Sequence, residues 1–203
     1  MASRQLTPEL TRRLLGFIHQ VDPSPKIDIL DLRHLQVPLY GFDGLEHLGE
    51  LIVHRIVAEE VEEIFLEIFQ AHFPIEKMRL IEDYEADDNA SMEDNNSSAF
   101  CYRFAVAKPN TLSKHSFGLA IDVNPLYNPY VKKELILPKS GARFTDRSIY
   151  QKGMILPGDS CHQAFCKRGW TWGGTWPDRQ DYQHFEKEIP LPIVERGNKL
   201  LES

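Results

Sequence analysis

The chain has 203 residues and a formal net charge of −7, with 42% hydrophobic and 26% charged residues. This length suits one domain or two small ones, and the composition is ordinary for a globular protein. No apolar run approaches the ~18 residues of a membrane helix, and no basic stripe with interleaved aromatic residues indicates nucleic-acid binding. The N-terminal residues carry charges throughout, which is not typical of a signal peptide.

Two helices are predicted in the first third of the chain. The first begins after Thr7, a good capping residue that a proline follows at the first helical position. The second is predicted over 57–73 by apolar residues at three- and four-residue spacing, and Pro74 ends it. Residues 25–55 are predicted as loops and short strands, among which the segment HLGELIVHR (47–55) is the best strand candidate.

Two strands and an acidic segment are predicted next. The segments EKMRLIEDYE (76–85) and SSAFCYRFAV (97–106) suit strands, with a polar loop between them. Arg103 stands in an apolar strand, either as an edge residue that reaches solvent or as part of a site. One face of that strand is predicted to hold Phe100, Tyr102, Phe104 and Val106.

The segment SKHSFGLAIDVNP (113–125) predicts a strand that runs from His115 past Asp122. Apolar residues alternate there with Gly118, Ala120 and Asp122, so that one face is left with small side chains and room beside them. Residues 125–158 hold four prolines and are predicted as a long loop.

The last third of the chain is predicted to hold one short helix and an aromatic segment. A helix is predicted in GDSCHQAFCKRG (158–169), capped by an aspartate or serine and ended by a glycine. The final segment, WTWGGTWPDRQDYQHFE (170–186), holds three tryptophans, which suit either the core or a binding groove.

Cysteine usage indicates no disulfide framework. The three cysteines are an odd number, although a bridge between Cys161 and Cys166 stays open as an alternative. His162 lies between these two cysteines, but the spacing is not the CxxC of a metal site.

Four residues could form a catalytic metal site: His115, Asp122, Asp181 and His184. A catalytic zinc ion commonly takes three protein ligands from His, Asp and Glu. Asp181 precedes His184 by three residues, so a local turn is needed to bring both side chains to one site. By spacing alone, the pattern favours structural histidines and ordinary turn aspartates over a metal site.

Three segments in this order resemble the zinc D-Ala-D-Ala carboxypeptidase family: NNSSAFCYR, SKHSFGLAIDVNPLYNPYV and WGGTWPDRQDYQHFE. That family also contains the L-alanyl-D-glutamate endopeptidases of phage lysins and the D,D-dipeptidases of vancomycin resistance. Its signature is S-x-H-x(6)-D followed downstream by [ED]-x-x-H. The matching residues here are Ser113, His115, Asp122, Asp181 and His184.

The resemblance implies a role for each matching residue. His115, Asp122 and His184 would bind one zinc ion, and Asp181 would be the general base, where many members have glutamate. Arg103 matches the family's active-site arginine and would bind a substrate carboxylate or stabilise the oxyanion. The motif serine, Ser113, would contact substrate.

The fold implied is α+β and hedgehog-like, with a small antiparallel sheet that carries the metal site and helices packed on one side. We expect one metallopeptidase domain over 1–203, with its motif-bearing core at about 45–190. The expected partners are peptidoglycan peptides, and the family's location is the cell envelope or the extracellular space.

The resemblance implies hydrolysis of peptidoglycan stem peptides, at D-Ala-D-Ala or at L-Ala-D-Glu. One alternative is a metal-containing binding module of the same fold without catalysis, and another is a zinc-free domain. The presence of Asp181 favours the enzyme over the module. The acidic segment 82–94 is expected at the rim of the cleft.

Overall fold

The structure is a computed structural model that describes residues 3–189. Residues 1–2 and 190–203 of the predicted 1–203 domain lie outside the described residues, as does the last residue of the predicted 45–190 core. The fold is mixed α/β, with helices and small, mostly antiparallel sheets. Within the described part, none of the helices combines the length and apolar character that spanning a bilayer requires.

Four α-helices are numbered in chain order: α1 (Pro8–Val21), α2 (Ala58–Gln70), α3 (Asp88–Glu93) and α4 (Ser160–Cys166). The strands are β1 (Arg4–Gln5), β2 (Leu32–Tyr40), β3 (Glu46–His54), β4 (Lys77–Met78), β5 (Asn96–Ser97), β6 (Phe104–Ala105), β7 (Lys108–Leu112), β8 (Ala120–Asp122), β9 (Tyr130–Lys132), β10 (Leu135–Leu137), β11 (Thr171–Trp172), β12 (Gln180–Asp181) and β13 (His184–Glu186). Short 3-10 helices connect several of these elements.

The helix ends predicted from capping residues are confirmed. The hydroxyl of Thr7 accepts a hydrogen bond from the backbone N–H of Leu10 at 3.2 Å, at the start of α1. Asp159 accepts one from the backbone N–H of His162 at 2.8 Å, at the start of α4. These side chains satisfy backbone donors that the first turn of a helix leaves unpaired.

The first sheet has the order β1-β2-β3 and carries a helix on each face. Leu51 and Val53 of β3 belong to the same buried cluster as the apolar face of α2. Ile52, which points to the opposite face, packs with Leu14 of α1. This sheet therefore has helices on both faces, whereas the prediction of helices on one side concerned the sheet that carries the metal site.

Two further sheets position the site. One has the order β11-β13-β8 and the other β10-β9-β12, and all their strand pairs are antiparallel. Phe185 of β13 stacks on Phe165 of α4 with ring centroids 4.1 Å apart, and both rings are fully buried. The hydrophobic core thus anchors the sheet that contains β8 and β13.

The prediction of one strand across His115 to Val123 is wrong. Residues Lys114–Phe117 form a 3-10 helix, and strand β8 covers only Ala120–Asp122. Gly118 stands between them with φ +65, where a Cβ would lie 2.5 Å from the backbone nitrogen of His54. Its small size therefore permits close backbone packing against the end of β3, whereas the sequence had suggested room for metal and substrate.

Three other segments differ from their predictions. Only Lys77–Met78 of 76–85 forms a strand, and a 3-10 helix follows it. The segment 97–106 is interrupted, so that Phe104 and Val106 are exposed although Phe100 and Tyr102 are buried. The predicted loop 125–158 contains the hairpin of β9 and β10.

We expect Gly118→Ala to lower the free energy of unfolding by about 2 kcal/mol or more, because it adds a backbone clash to the left-handed strain. The matched control is Gly158→Ala, since Gly158 has φ +85 but no atom within 4 Å of the added Cβ. Urea denaturation of both variants measures the difference. An equal loss of unfolding free energy in the two variants would show that the close approach to His54 adds nothing to the cost of the left-handed backbone.

Glu82 is a carboxyl group buried in the 3-10 helix Ile81–Tyr84. Glu82 is only 4% exposed, and neither of its carboxyl oxygens has a hydrogen-bond partner within residues 3–189. Burial raises the pKa of Glu82 to about 7, with Asp83 acting in the same direction and Arg13 opposing it. Glu50 and Arg79 line the small cavity beside it.

The folded state therefore favours the protonated form of Glu82, so its contribution to stability falls as pH rises from about 4.5 to about 7. We expect wild type to lose up to about 3 kcal/mol of unfolding free energy across this window. Glu82→Gln should not show this loss, because its side chain does not ionise. Denaturation at pH 5 and pH 8 measures this loss, with Glu59→Gln on the exposed face of α2 as the control. Parallel pH dependence in all three proteins would contradict the expectation.

Candidate active site

His115 is turned into the protein by a capped 3-10 helix. The hydroxyl of Ser113 accepts a hydrogen bond from the backbone N–H of His115 at 3.3 Å, at the start of this helix. The His115 ring is 1% exposed, and its Nδ1 lies 2.5 Å from the carbonyl oxygen of Ala99. Because a carbonyl oxygen can only accept, Nδ1 carries the hydrogen and Nε2 presents a lone pair.

Asp122 and His184 come together through strand pairing. They are direct partners in the antiparallel register of β8 and β13, at the same end of the sheet. Nε2 of His184 donates to Oε2 of Glu186 at 3.1 Å, so Nδ1 is the nitrogen that faces Asp122, to which it donates when protonated and presents a lone pair when neutral. Glu186 lies two residues further along β13 and therefore on the same face as His184.

The three side chains meet at one buried point. Nε2 of His115 lies 3.1 Å from Nδ1 of His184 and 3.1 Å from Oδ2 of Asp122, while Nδ1 of His184 lies 3.0 Å from Oδ1 of Asp122. In residues 3–189 this is the only His, Cys, Asp or Glu group with three ligand atoms within 4.8 Å of one another. Lone pairs so close repel one another unless a proton or a metal cation lies between them, so the deprotonated donor set fits a divalent metal such as zinc.

The charges of this group are strongly coupled. Burial opposes ionisation of Asp122, but the imidazoles of His115 and His184 outweigh it and hold the pKa of Asp122 well below its usual range. Burial alone would lower the pKa of His184, but hydrogen bonds to Asp122 and Glu186 raise it to about 10. The buried carboxylate is therefore ionised and attracts positive charge to this point.

Asp181 reaches the same cavity from the other sheet. It ends β12, and residues 182–183 form the turn that leads into β13, as the spacing to His184 required. Its Oδ1 is buried without a hydrogen-bond partner in the described chain, and burial raises its pKa to about 6. A Cβ on Gly173 would lie 2.8 Å from the Cβ of Asp181, so this glycine makes room for it.

Arg103 is held beside the cavity by an acidic partner that the sequence did not indicate. Nε of Arg103 lies 2.9 Å from Oδ2 of Asp88, the first residue of α3. Burial opposes the charge of Arg103, but neighbouring groups, Asp88 foremost, outweigh it and raise its pKa. Part of the acidic segment 82–94 thus lies at the cleft and orients the arginine.

One cavity of about 270 Å³ joins these groups. This volume is slightly below the ~300 Å³ at which pockets for drug-sized ligands begin, so it suits a short peptide segment. The residues predicted for the site all line it: Arg103, Ser113, His115, Asp122, Asp181 and His184.

Several residues of the cleft were not identified from the sequence. Glu186 could have been found, because a carboxylate two residues after a candidate ligand shares its strand face. Asp88 and Tyr130 could not, since their place depends on contacts far along the chain. The role of Gly173 could not be predicted either, because it depends on the close approach of Asp181.

The other residues that the sequence singled out, namely His162, two cysteines and three tryptophans, are not part of the His-Asp-His group. His162 packs against Trp172 and contacts the sulfur of Cys166 at 3.6 Å. Cys161 and Cys166 are free thiols, so the open alternative of a bridge does not hold. Trp170 and Trp172 are core residues, whereas Trp176 lines the cavity.

Comparison with known proteins agrees with this geometry over part of the chain. No curated protein and no solved structure matches the chain significantly. A family model does match, over residues 107–187, which contain the metal-ligand candidates and Asp181. That family is described as D-alanyl-D-alanine carboxypeptidase, and the match supports a peptidase.

Proposed function

We propose that this chain is a zinc-dependent peptidase that hydrolyses peptidoglycan stem peptides, at D-Ala-D-Ala as a carboxypeptidase or at L-Ala-D-Glu as an endopeptidase. The observation that carries the proposal is the meeting of three lone-pair donors, His115, Asp122 and His184, in a cavity shared with Asp181 and Arg103. The family match over 107–187 supports a peptidase that acts on D-Ala-D-Ala. The hedgehog-like fold and a location at the cell envelope or outside the cell belong to this proposal.

The chain would hold the ion through Nε2 of His115, a carboxylate oxygen of Asp122 and Nδ1 of His184. When bound, zinc supplies a Lewis acid that polarises a carbonyl and lowers the pKa of water. The outer hydrogen bonds to Ala99 and Glu186 keep both rings oriented for binding.

Asp181 is the proposed general base. Its buried Oδ1 has no hydrogen-bond partner in residues 3–189, so it is free to accept a proton from the attacking water. It would then deliver that proton to the nitrogen of the leaving residue. Aspartate is shorter than glutamate, and the space left by Gly173 lets its backbone come close to the reacting atoms.

Arg103 is the proposed electrostatic group. Asp88 forms an ion pair with its Nε side at 2.9 Å without hydrogen-bond geometry, and this holds the guanidinium beside the cavity while the two terminal nitrogens can turn to substrate. These nitrogens suit either the oxygen that becomes negative during attack or a carboxylate of the substrate.

The first test separates metal binding from catalysis. We expect Asp122→Asn to lose the metal and activity together, whereas Asp181→Asn keeps about one ion and loses activity by about 10²–10⁴-fold. Bound metal is measured by mass spectrometry after dialysis, and activity by masses of digested muropeptides. The control is Asp146→Asn on the exposed surface outside the cavity.

The outcomes of this test are distinct. Loss of a terminal alanine would assign carboxypeptidase action, and separation of the first two stem residues would assign endopeptidase action. Loss of metal in Asp181→Asn would make Asp181 a ligand. A wild type that binds metal but cleaves no muropeptide would favour the binding module.

A second test concerns Arg103. We expect Arg103→Lys to lower kcat/KM by about 10²–10³-fold, because lysine lacks the planar fork. A loss in kcat would indicate oxyanion stabilisation, and a rise in KM would indicate carboxylate binding. The control is Arg168→Lys, a comparably buried arginine paired with Glu63 and Glu67. Equal activity in both variants would remove Arg103 from the site.

A further inference from the structure

Tyr130 presents an unpaired hydroxyl to the active-site cavity. The residue is 6% exposed, lines the cavity and begins β9. Its hydroxyl has no hydrogen-bond partner anywhere in residues 3–189. A buried phenolic hydroxyl normally has a partner, and leaving it unpaired costs stability. The proposed mechanism gives this hydroxyl no role.

Strand pairing sets Tyr130 beside the proposed general base. Tyr130 and Asp181 are direct partners in the antiparallel register of β9 and β12. Direct partners project from the same face of a sheet, with Cβ atoms about 5 Å apart. A ligand group that contacts Asp181 therefore has Tyr130 as its neighbour.

Arg179 adds a positive charge to the same cavity. Its guanidinium lies 4.1 Å from the centre of the Trp176 ring, and its Nη1 donates to both carboxylate oxygens of Asp178 at 2.8 Å. Among the described residues, the hydrogen bonds between Arg179 and Asp178 use Nη1 alone, so Nη2 and Nε of Arg179 remain for a ligand. Burial raises the pKa of Tyr130 and the charge of Arg179 opposes this, as expected for neighbours.

A hydroxyl donor next to a guanidinium recognises a carboxylate better than a neutral amide. Both candidate substrates carry a carboxylate on the leaving residue. In D-Ala-D-Ala it is the terminal group, and in an L-Ala-D-Glu unit that continues through its side chain it is the α-carboxylate. Asp181 would hand its proton to the nitrogen of that same residue, so the carboxylate comes within reach of Tyr130.

We propose that Tyr130 and Arg179 form a carboxylate subsite that selects substrates with a free carboxylate on the leaving residue. The inference rests on the proposed function for its choice of ligands. It assigns specificity to β9, which the sequence predicted as part of a loop. It also leaves Arg103 available to the carbonyl oxygen.

The test compares each acid with its amide on the zinc-loaded protein. The ligand pairs are D-alanyl-D-alanine with D-alanyl-D-alaninamide, and L-alanyl-D-glutamate with L-alanyl-D-isoglutamine, whose α-carboxylate is replaced by an amide. Ligand-observed NMR reads affinity and hydrolysis in the same sample. Where a ligand is cleaved, kcat/KM takes the place of affinity.

We expect wild type to prefer the acid in at least one pair by about 10–100-fold, as for a hydrogen bond to a charged group. Tyr130→Phe and Arg179→Gln should each reduce that ratio by about tenfold. The controls are Tyr127→Phe, whose ring lies outside the cavity, and Arg143→Gln, which loses a guanidinium stacked on Phe144. Both controls should retain the wild-type ratio.

Stability gives a second reading for Tyr130→Phe. Because the hydroxyl has no partner within the described chain, the variant should be at least as stable as wild type while its acid preference falls. A clear loss of stability would show a structural partner for the hydroxyl and count against the subsite.

The outcomes separate this inference from the proposed function. Equal affinity for acid and amide in both pairs, no measurable binding of any ligand, or an unchanged ratio in both variants would overturn the subsite. Acid preference that the variants lose, without hydrolysis, would support the subsite and contradict the peptidase. Hydrolysis without a preference for the acid would support the peptidase and contradict the subsite.

Discussion

The pairing of Asp122 with His184 across β8 and β13 is the constraint on which the rest of the site depends. The next pair in the register, Ile121 with Phe185, is fully buried and belongs to the main hydrophobic cluster. Side chains alternate along a strand, so a slip of one residue in either strand would turn its ligand candidate into the core and an apolar side chain into the cavity. Core packing therefore sets the register, and the meeting of the lone pairs follows from it.

A second sheet completes the chemistry because the two sheets are joined by one short turn. Asp181 ends β12 and His184 begins β13, so the proposed base and a ligand candidate belong to different sheets but lie close together. The same pairing of β12 with β9 brings Tyr130 to the cavity. The proposed general base and its neighbour are thus placed by one sheet, and two of the three ligand candidates, Asp122 and His184, by the other.

Local signals predicted α1, α2 and α4 and the capping residues of α1 and α4, because each depends on residues close in sequence, whereas α3 lies in a segment predicted as a loop. The ligand candidates came from the family resemblance, because their spacing alone did not decide for a metal site. The strand predicted across His115 was wrong since the Ser113 cap and the left-handed Gly118 interrupt the period-two pattern. The hairpin of β9 and β10 was missed because its three-residue strands have no clear alternation and depend on pairing with β12, some fifty residues later. The residues of the cleft that could not be predicted, Asp88 and Tyr130, are supplied by elements far along the chain from their partners.

The cavity holds two guanidinium groups in a protein of net negative charge, and each is already bound to an acid. These acids keep Arg103 and Arg179 ordered before substrate arrives, which reduces the entropy lost on binding. A peptide that ends in a carboxylate offers a permanent charge on the leaving residue and a developing charge on the attacked carbonyl oxygen. Two separately held arginines match these two charges, so ground-state recognition and transition-state stabilisation would be divided between different side chains.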